Sequence, residues 1–476
     1  MSNPRDRETE GTAPDGGKPT TSPTVLLRGQ LFRGVNIRNV LGAGAMGIAY
    51  LASHASLKMP VVIKLFKITM GDPLAEAHLA ARVVSSAVVP VLDAGIENGV
   101  PFVMQRYVDG IDLDELLRTH VAMGRSIPIP VLIRIGVDIF RGLSAIHTAG
   151  VIHRDIKPAN LFLGGSGGAL VGDFGIAVDP QRAHAAEVAG TPMFIAPDVW
   201  AGHAATPQSD LYSAAATLHL LWQQQAPFDS NDLDELRAMH REKVYRPPDS
   251  ADPVAAYFGA VLGRMLCKLA ADRPESALGA ARMLERISIP APELRGHDDG
   301  IARVADVMIA LEKRDICSAH TDVIVSAANE QLVMELGVAG ALRRAGGDEL
   351  QRDAMAQGPV PMGQVVWTGP GRLGCKQVAH AVAALDGAIC IQRAVLRTLF
   401  EAERLGHRSI TFPALGTGVG GVPHGLGARL MLEAIRTFAS FEPRSCRSIR
   451  IALPTPETVA TWTQALLALD ADACPT

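Results

Sequence analysis

Short apolar runs, each broken by a loop of polar or small residues, recur along most of this chain and read as buried strands. They alternate with stretches in which apolar residues return at helical spacing. The first alternation runs from Leu27 to about Ile287 and the second from Ile301 to about Leu469. Between them, ISIPAPELRGHDDG at 287–300 carries two prolines and four charges, which predicts a linker. Residues 1–27 are rich in Pro, Gly, Thr and charge and too poor in apolar residues to fold, which predicts a disordered tail. The domains expected are therefore 28–286 and 301–470. No internal repeat or coiled-coil heptad is visible.

The densest chemistry lies in VIHRDIKPANLFLGGSGGALVGDFG, 151–175. Its apolar runs, Val151-Ile152, Leu161-Phe162-Leu163 and Ala169-Leu170-Val171, predict short strands. Asp155, Lys157, Asn160 and Asp173 fall between them, on loops where catalytic groups usually sit. Phosphoryl transfer needs this set: one carboxylate to orient a hydroxyl, and an amide with a second carboxylate to hold magnesium. A single Asp could be a helix cap or loop acid; four such residues in this order make that reading remote. The stretch resembles the catalytic loop and metal-binding D-F-G of protein kinases, and Lys157, two positions past the aspartate, resembles the Ser/Thr rather than the Tyr branch.

Other segments extend the resemblance over roughly 31–286. LGAGAMGIAY, 41–50, sets Gly42, Gly44 and Gly47 in G-x-G-x-x-G spacing, which dinucleotide folds share. Here Ile48–Ala52 reads as a strand rather than a helix, so a hairpin covering phosphates fits better, its glycines letting backbone amides approach oxygen closely. VVIK, 61–64, places Lys64 to reach a phosphate, and EAHLAARVV, 76–84, is a predicted helix whose Glu76 is the expected partner of Lys64. MQRYVDG, 104–110, resembles the connector between lobes, with Gln105 guarding the inner pocket and the backbone around Tyr107 meeting adenine.

The same resemblance implies that Asp155 takes or orients the hydroxyl proton and Lys157 neutralises the moving phosphate. It gives Asn160 and Asp173 to Mg2+, and Thr191 bonds to the catalytic Asp and Lys. Asp198 stands where the family usually has Glu, with Arg273 its expected partner and a shorter arm that should loosen the lobe; Asp210 matches the acid that bonds back to the catalytic-loop backbone. IAVDPQRAHAAEVAG, 176–190, contains no Ser, Thr or Tyr, so loop phosphorylation cannot charge the neighbourhood of Arg154. Either Asp179 or Glu187 supplies that charge permanently, or the loop stays mobile until a partner binds.

RDICSAHTDVIVSAANEQLVMELGVAGAL, 314–342, with KQVAHAV and ITFPALGTGVGGVP, resembles macro domains, modules that bind ADP-ribose. The strands DVIVSAAN and SITFPALGTG each end in a loop of small residues: Gly337, Val338, Ala339 and Gly340, then Gly416, Thr417, Gly418, Val419, Gly420 and Gly421. Such loops expose amides to a diphosphate, and a nearby helix N-terminus adds its dipole. By resemblance Asp315 bonds the adenine amino group and Asn329 meets the distal ribose. Hydrolysing families commonly have Asn and Asp where this chain has Ser326 and Ala339, which favours binding over hydrolysis. His380 and His424 read as structural.

Composition narrows the rest. A formal net charge of -4 gives no reason to expect nucleic acid, and no run reaches the ~18 apolar residues of a membrane span. MSNPRDRETEG is no signal peptide, and the six scattered cysteines read as reduced thiols of a cytoplasmic protein. The fold class expected is multidomain: a bilobal α+β protein kinase fold followed by an α/β/α macro domain with a mixed sheet. The function expected is Ser/Thr protein kinase using Mg-ATP, acting on protein hydroxyls, with ADP-ribose or ADP-ribosylated proteins as partners of the second domain. A nucleotide-binding scaffold and an ADP-ribosyl hydrolase remain open as alternatives.

Overall fold

The computed structural model describes residues 26–44, 47–57, 59–66, 79–173, 192–287, 294–296, 299–385 and 388–471. The upper part of the first unit is an antiparallel sheet of β1 (Leu31–Phe32), β2 (Val35–Ala43), β3 (Gly47–His54), β4 (Pro60–Phe66), β5 (Val91–Glu97) and β6 (Val100–Arg106), in the order β1-β2-β3-β4-β6-β5. Strand period decides which side chains enter its core. In β4, Val61, Ile63 and Leu65 are buried together, and Lys64 is thereby sent to the opposite face.

A small sheet of β7 (Gly110–Asp112), β8 (Leu161–Gly164) and β9 (Ala169–Val171) opens the lower part. Its helices are α1 (Leu113–Ala122), α2 (Ile129–Thr148), α3 (Pro197–Trp200), α4 (Pro207–Gln223), α5 (Leu233–Glu242), α6 (Pro253–Met265) and α7 (Ala277–Glu285). Their starts are legible in the chain: Asp112, Asp232, Asp252 and Ser276 each accept a backbone N–H of the first turn. α2 is the central element; Leu132, Ile139, Phe140, Leu143 and Ile146 are buried completely. Val151-Ile152, expected as a strand, belongs to a loop: the Val151 N–H donates to the Ile146 carbonyl at 3.2 Å, and the next two residues, His153 and Arg154, bond to Asp210.

The second unit holds β10 (Leu294–Gly296), β11 (Ile301–Val304), β12 (Val307–Lys313), β13 (Val323–Ala327), β14 (Val365–Thr368), β15 (Gln377–Ala381), β18 (Ser409–Pro413) and β19 (Ser448–Leu453) in one mixed sheet, ordered β10-β11-β12-β19-β18-β13-β15-β14. A separate ribbon pairs β16 (Ala384–Leu385) with β17 (Ala388–Ile389). Period two again sorts the core: Val323 and Val325 face one helical layer and Ile324 the other. The first layer contains α10 (Ile391–Arg404), α11 (His424–Ala439) and α12 (Pro456–Ala471); the second contains α8 (Gly337–Gly346) and α9 (Asp348–Met355). This is the expected three-layered arrangement. β10 corrects the reading of 287–300 as linker throughout, since Leu294–Gly296 pairs with Ala302–Val304 at the sheet edge. Leu26, counted with the tail, is buried, and its N–H donates to the Tyr50 hydroxyl at 3.1 Å.

The two units share a core. Leu51 and Tyr107 of the first pack with Leu332, Val360, Met362, Val366, Val382 and Cys390 of the second. Asp109 accepts the N–H groups of Gln392 (3.0 Å) and Arg393 (2.8 Å), so a carboxylate from one unit caps a helix of the other. Burial pushes the Asp109 carboxyl up to about 6, against the pull of those hydrogen bonds. Glu115 takes Arg397 in a two-pronged pair, at 2.5 and 2.6 Å, and Arg125 meets Glu403 at 2.6 Å.

Candidate active site

The loop from His153 to Asn160 is held from below by Asp210, near the start of α4. Asp210 accepts the N–H groups of His153 and Arg154, both at 2.9 Å, and contacts His147 Nε2 at 2.8 Å. His153 Nε2 lies 2.8 Å from the carbonyl oxygen of Gly172, tying this loop to the segment that carries Asp173. Arg154 and Asp173 both lie at positive φ, 68° and 55°. Such values are uncommon for non-glycine residues and mark a backbone imposed by its surroundings. Gly172 is required by packing: a Cβ there would come within 2.8 Å of the Phe162 ring.

On this scaffold the expected side chains meet. Lys157 Nζ lies 2.8 Å from Asp155 Oδ2. The Asn160 amide donates to the same oxygen at 2.8 Å and to the Asp155 carbonyl at 2.7 Å. An amide whose nitrogen faces Asp155 turns its oxygen the other way. Lys64 pairs directly with Asp173, which joins the upper sheet to the lower loop.

Asn160 and Asp173 offer one amide and one carboxylate oxygen. Among the described residues no group of three or more His, Cys, Asp or Glu side chains could cage an ion. The pair suits a hard cation that keeps water and phosphate oxygens in its shell, as Mg2+ does.

Gly42 and Gly44 have open space around them, and β2 and β3 form an antiparallel hairpin there, with Gly42 opposite Ala49. The segment after Gly47 is thus a strand, as its residues predicted. A Cβ on Gly47 would strike the Leu65 carbonyl at 1.9 Å, so that glycine is needed for strand packing. Gln105 is buried beside Val62 and Val91. The Tyr107 side chain does not line the cleft: it lies in the shared core, where its hydroxyl meets Arg393 Nη1 at 3.2 Å, and its N–H donates to the Pro60 carbonyl at 3.4 Å. Glu76, Thr191, Asp179 and Glu187 lie outside the described residues.

Asp198 and Arg273 pair at 2.6 Å. The shorter acid does not leave the arginine underused. The Ser209 hydroxyl donates to Asp198, and Arg273 also donates to the carbonyls of Cys267 and Gln208, at 2.9 and 3.0 Å.

In the second unit, β12, β19, β18 and β13 are parallel, so the loops after β12, β13 and β18 open at one edge of the sheet. Ligands bind at such carboxyl ends. The topology therefore gathers Asp315, Asn329 with Gly337 and Val338, and Gly416 to Gly421. Asp315 accepts the Cys317 N–H at 3.0 Å. Asn329 uses its amide on its own loop, donating to the Val333 carbonyl (3.0 Å) and accepting the Val333 N–H (3.1 Å); one hydrogen and one lone pair are left for other contacts. Gly337 begins α8 at φ 57°, and no side chain caps that helix. Gly416 and Gly421 have φ of 77° and 68°, closed by Val422 N–H on the Gly416 carbonyl. Thr417 donates to Ala414, Gly418 faces open space, and Val419 is exposed. His380 is wholly buried against the Thr368 hydroxyl at 2.9 Å, and burial lowers its imidazole to about 4, which makes it a structural histidine.

These two centres define a bilobal phosphoryl-transfer fold joined to an α/β/α ligand-binding fold. The protein kinase domain family matches residues 35–286 and the macro domain family residues 325–431. The chain belongs to the protein kinase family and carries a C-terminal macro domain. It is similar to serine/threonine-protein kinase PknH of Mycobacterium bovis, 31% identical over 260 residues, covering 52% of this chain and 43% of the relative. PknE of Mycobacterium tuberculosis is 29% identical over 255 residues, covering 52% and 44%. Pkn1 of Myxococcus xanthus is 30% identical over 249 residues, covering 49% and 35%. The chain spans less than half the length of these curated relatives. Among the described residues no helix is long and apolar enough to cross a membrane.

Sequence reasoning did not find Asp109, Glu115, Arg125 and Glu330, which join the units. The available signal was Arg393 and Arg397, four apart among the apolar residues of one helix, where largely buried cations require partners.

Proposed function

We propose that this protein transfers the γ-phosphate of ATP to Ser or Thr hydroxyls of protein substrates. The observation that supports this best is the convergence of Asp155, Lys157, Asn160, Lys64 and Asp173 in one cleft beneath the glycine hairpin. The Asp155 carboxylate orients the substrate hydroxyl and takes its proton. The hydroxyl oxygen bonds to the γ-phosphorus while the bond to the β–γ bridging oxygen breaks, and ADP leaves. Lys157 stands beside Asp155, where it meets the charge of the moving phosphoryl group. Lys64 holds the α- and β-phosphates from above, and the amides of the Gly42–Gly47 hairpin cover them. Asn160 and Asp173 would hold Mg2+, which neutralises phosphate charge when bound. Rate then comes from positioning and charge neutralisation.

The C-terminal crevice suits ADP-ribose, free or attached to a protein. Asp315 meets the adenine amino group, Asn329 the distal ribose, and the two glycine loops with the α8 N-terminus the diphosphate. Binding rather than hydrolysis is favoured by Ser326, which is buried at the end of β13. A ligand there recruits substrates or biases the kinase.

Transfer of radiolabelled phosphate to a Ser/Thr protein mixture, with Asp155→Asn as control, tests the first reading; equal labelling by both proteins refutes it. Calorimetry of the full chain with ADP-ribose tests the second, and release of ADP-ribose from a modified protein would instead support hydrolysis.

A further inference from the structure

The macro fold grips the kinase on both sides of the connection between β6 and β7. Asp109, in that connection itself, caps α10, and below it lies the Glu115–Arg397 pair. Above it is Glu330, only 1% exposed, on the loop that follows β13. Glu330 accepts from Asn39 Nδ2 at 2.9 Å with one carboxylate oxygen and pairs with Arg28 through the other. Its backbone is fixed as well, since its carbonyl accepts the Val360 N–H at 2.7 Å.

The place of attachment matters more than its strength. Asn39 lies on β2, three residues ahead of Gly42. It sits between two irregularities in the pairing of β2 with β3, at Ile37/Asn39 and Val40/Gly42. Bulged pairing leaves a strand less firmly held by its neighbour. Toward the hairpin tip, a Cβ on Gly42 or Gly44 would meet nothing within 4 Å, so among the described residues no neighbour packs against that face of the strand end. What fixes β2 from outside the sheet therefore sets where the glycine hairpin stands above Asp155 and Asp173.

We propose that Glu330 is a positioning residue for phosphoryl transfer. It belongs to the macro fold, and it reaches the ATP site through Asn39, Arg28 and β2. Because the same fold is anchored on the connection by Asp109 and on the lower lobe by Glu115, Glu330 fixes the upper lobe against the lower one. The inference rests on the kinase reading above and requires no ligand in the macro crevice.

The test uses the full chain, with ATP varied at saturating Mg2+ and protein substrate. Glu330→Ala and Asn39→Ala are expected to raise KM for ATP by between about five- and a hundredfold, with a smaller fall in kcat. Glu330→Gln, which keeps an acceptor for Asn39, recovers most of that loss. Arg33→Ala, which removes part-exposed upper-lobe ion pairs to Asp93 and Glu97 and a contact over the Phe102 ring but touches neither β2–Glu330 contact, changes KM by less than about twofold. A purely structural role would reduce the active fraction, and hence kcat, at unchanged KM for ATP. That pattern in Glu330→Ala and in Asn39→Ala, whose altered side chain lies outside the buried core, overturns the proposal. Wild-type protein that transfers no phosphate defeats the kinase reading and this inference together. Active wild type with variants of unchanged KM defeats the inference alone.

Discussion

On the proposed reading, the kinase cleft and the macro crevice would hold phosphate with different parts of the chain. In the cleft the work falls to side chains: Lys64, Asp155, Lys157, Asn160 and Asp173 are each bonded to another member of the set. In the crevice it falls to backbone. Gly337, Gly416 and Gly421 take positive φ, which shapes the loops so that backbone rather than side chains would face a diphosphate, and the polar side chains present are partly engaged within their own loops. The first kind of site is lost by changing a functional group. The second is lost by adding one.

That contrast can be broken most severely in the cleft. Asp155→Asn keeps the shape and the acceptor for Asn160 but removes the carboxylate, and should lower kcat by roughly 10²–10⁴-fold. Calorimetry on the same variant should show ADP-ribose binding unchanged. The reverse experiment is Gly418→Glu. A side chain at Gly418 meets open space, so the fold should tolerate it, while a negative charge beside a diphosphate should weaken ADP-ribose binding by about 10²-fold. Phosphoryl transfer with ADP-ribose absent should not change. An ADP-ribose affinity equal to wild type would show that the second loop is not part of the crevice.

Smaller effects sharpen the comparison by asking whether the two sites belong to one cooperative body. Glu115→Ala leaves Arg397 without its carboxylate in a largely buried interface, and should cost about 2–5 kcal/mol, measured as a lower midpoint in urea. If the units are coupled, probes in both should shift together.

The smallest effect is a pH dependence. Asp109 is raised from an ordinary 3.8 to about 6 by burial, in a setting that includes Arg393, Tyr107 and Cys390. The folded state therefore holds this proton more tightly than the unfolded one. By linkage its ionisation lowers stability as pH rises from about 4 to about 6, with no further change above that window. Asp109→Asn should abolish this component. The wild-type melting temperature should fall relative to that of the variant as pH rises across that window, and the difference should be flat above it, as followed by thermal denaturation at fixed ionic strength.

Much of the molecule could be read before any coordinates. Apolar runs such as VVIK and DVIVSAAN assigned strands, and proline- and glycine-rich stretches marked the breaks between them. The order Asp155, Lys157, Asn160, Asp173 pointed to phosphoryl transfer, because these functional groups stand at short range along the chain. The glycine loops were legible as loops for the same local reason.

What the tertiary structure decided is everything that depends on residues far apart in sequence. It turned Tyr107 away from the cleft and into a shared core, placed Asp109 at the N-terminus of a helix nearly three hundred residues on, and set Glu330 against β2. It also made Leu294–Gly296 an edge strand by giving it a partner. Local pattern specifies which face of an element is apolar. Which other element covers that face follows only from the packing of the whole chain.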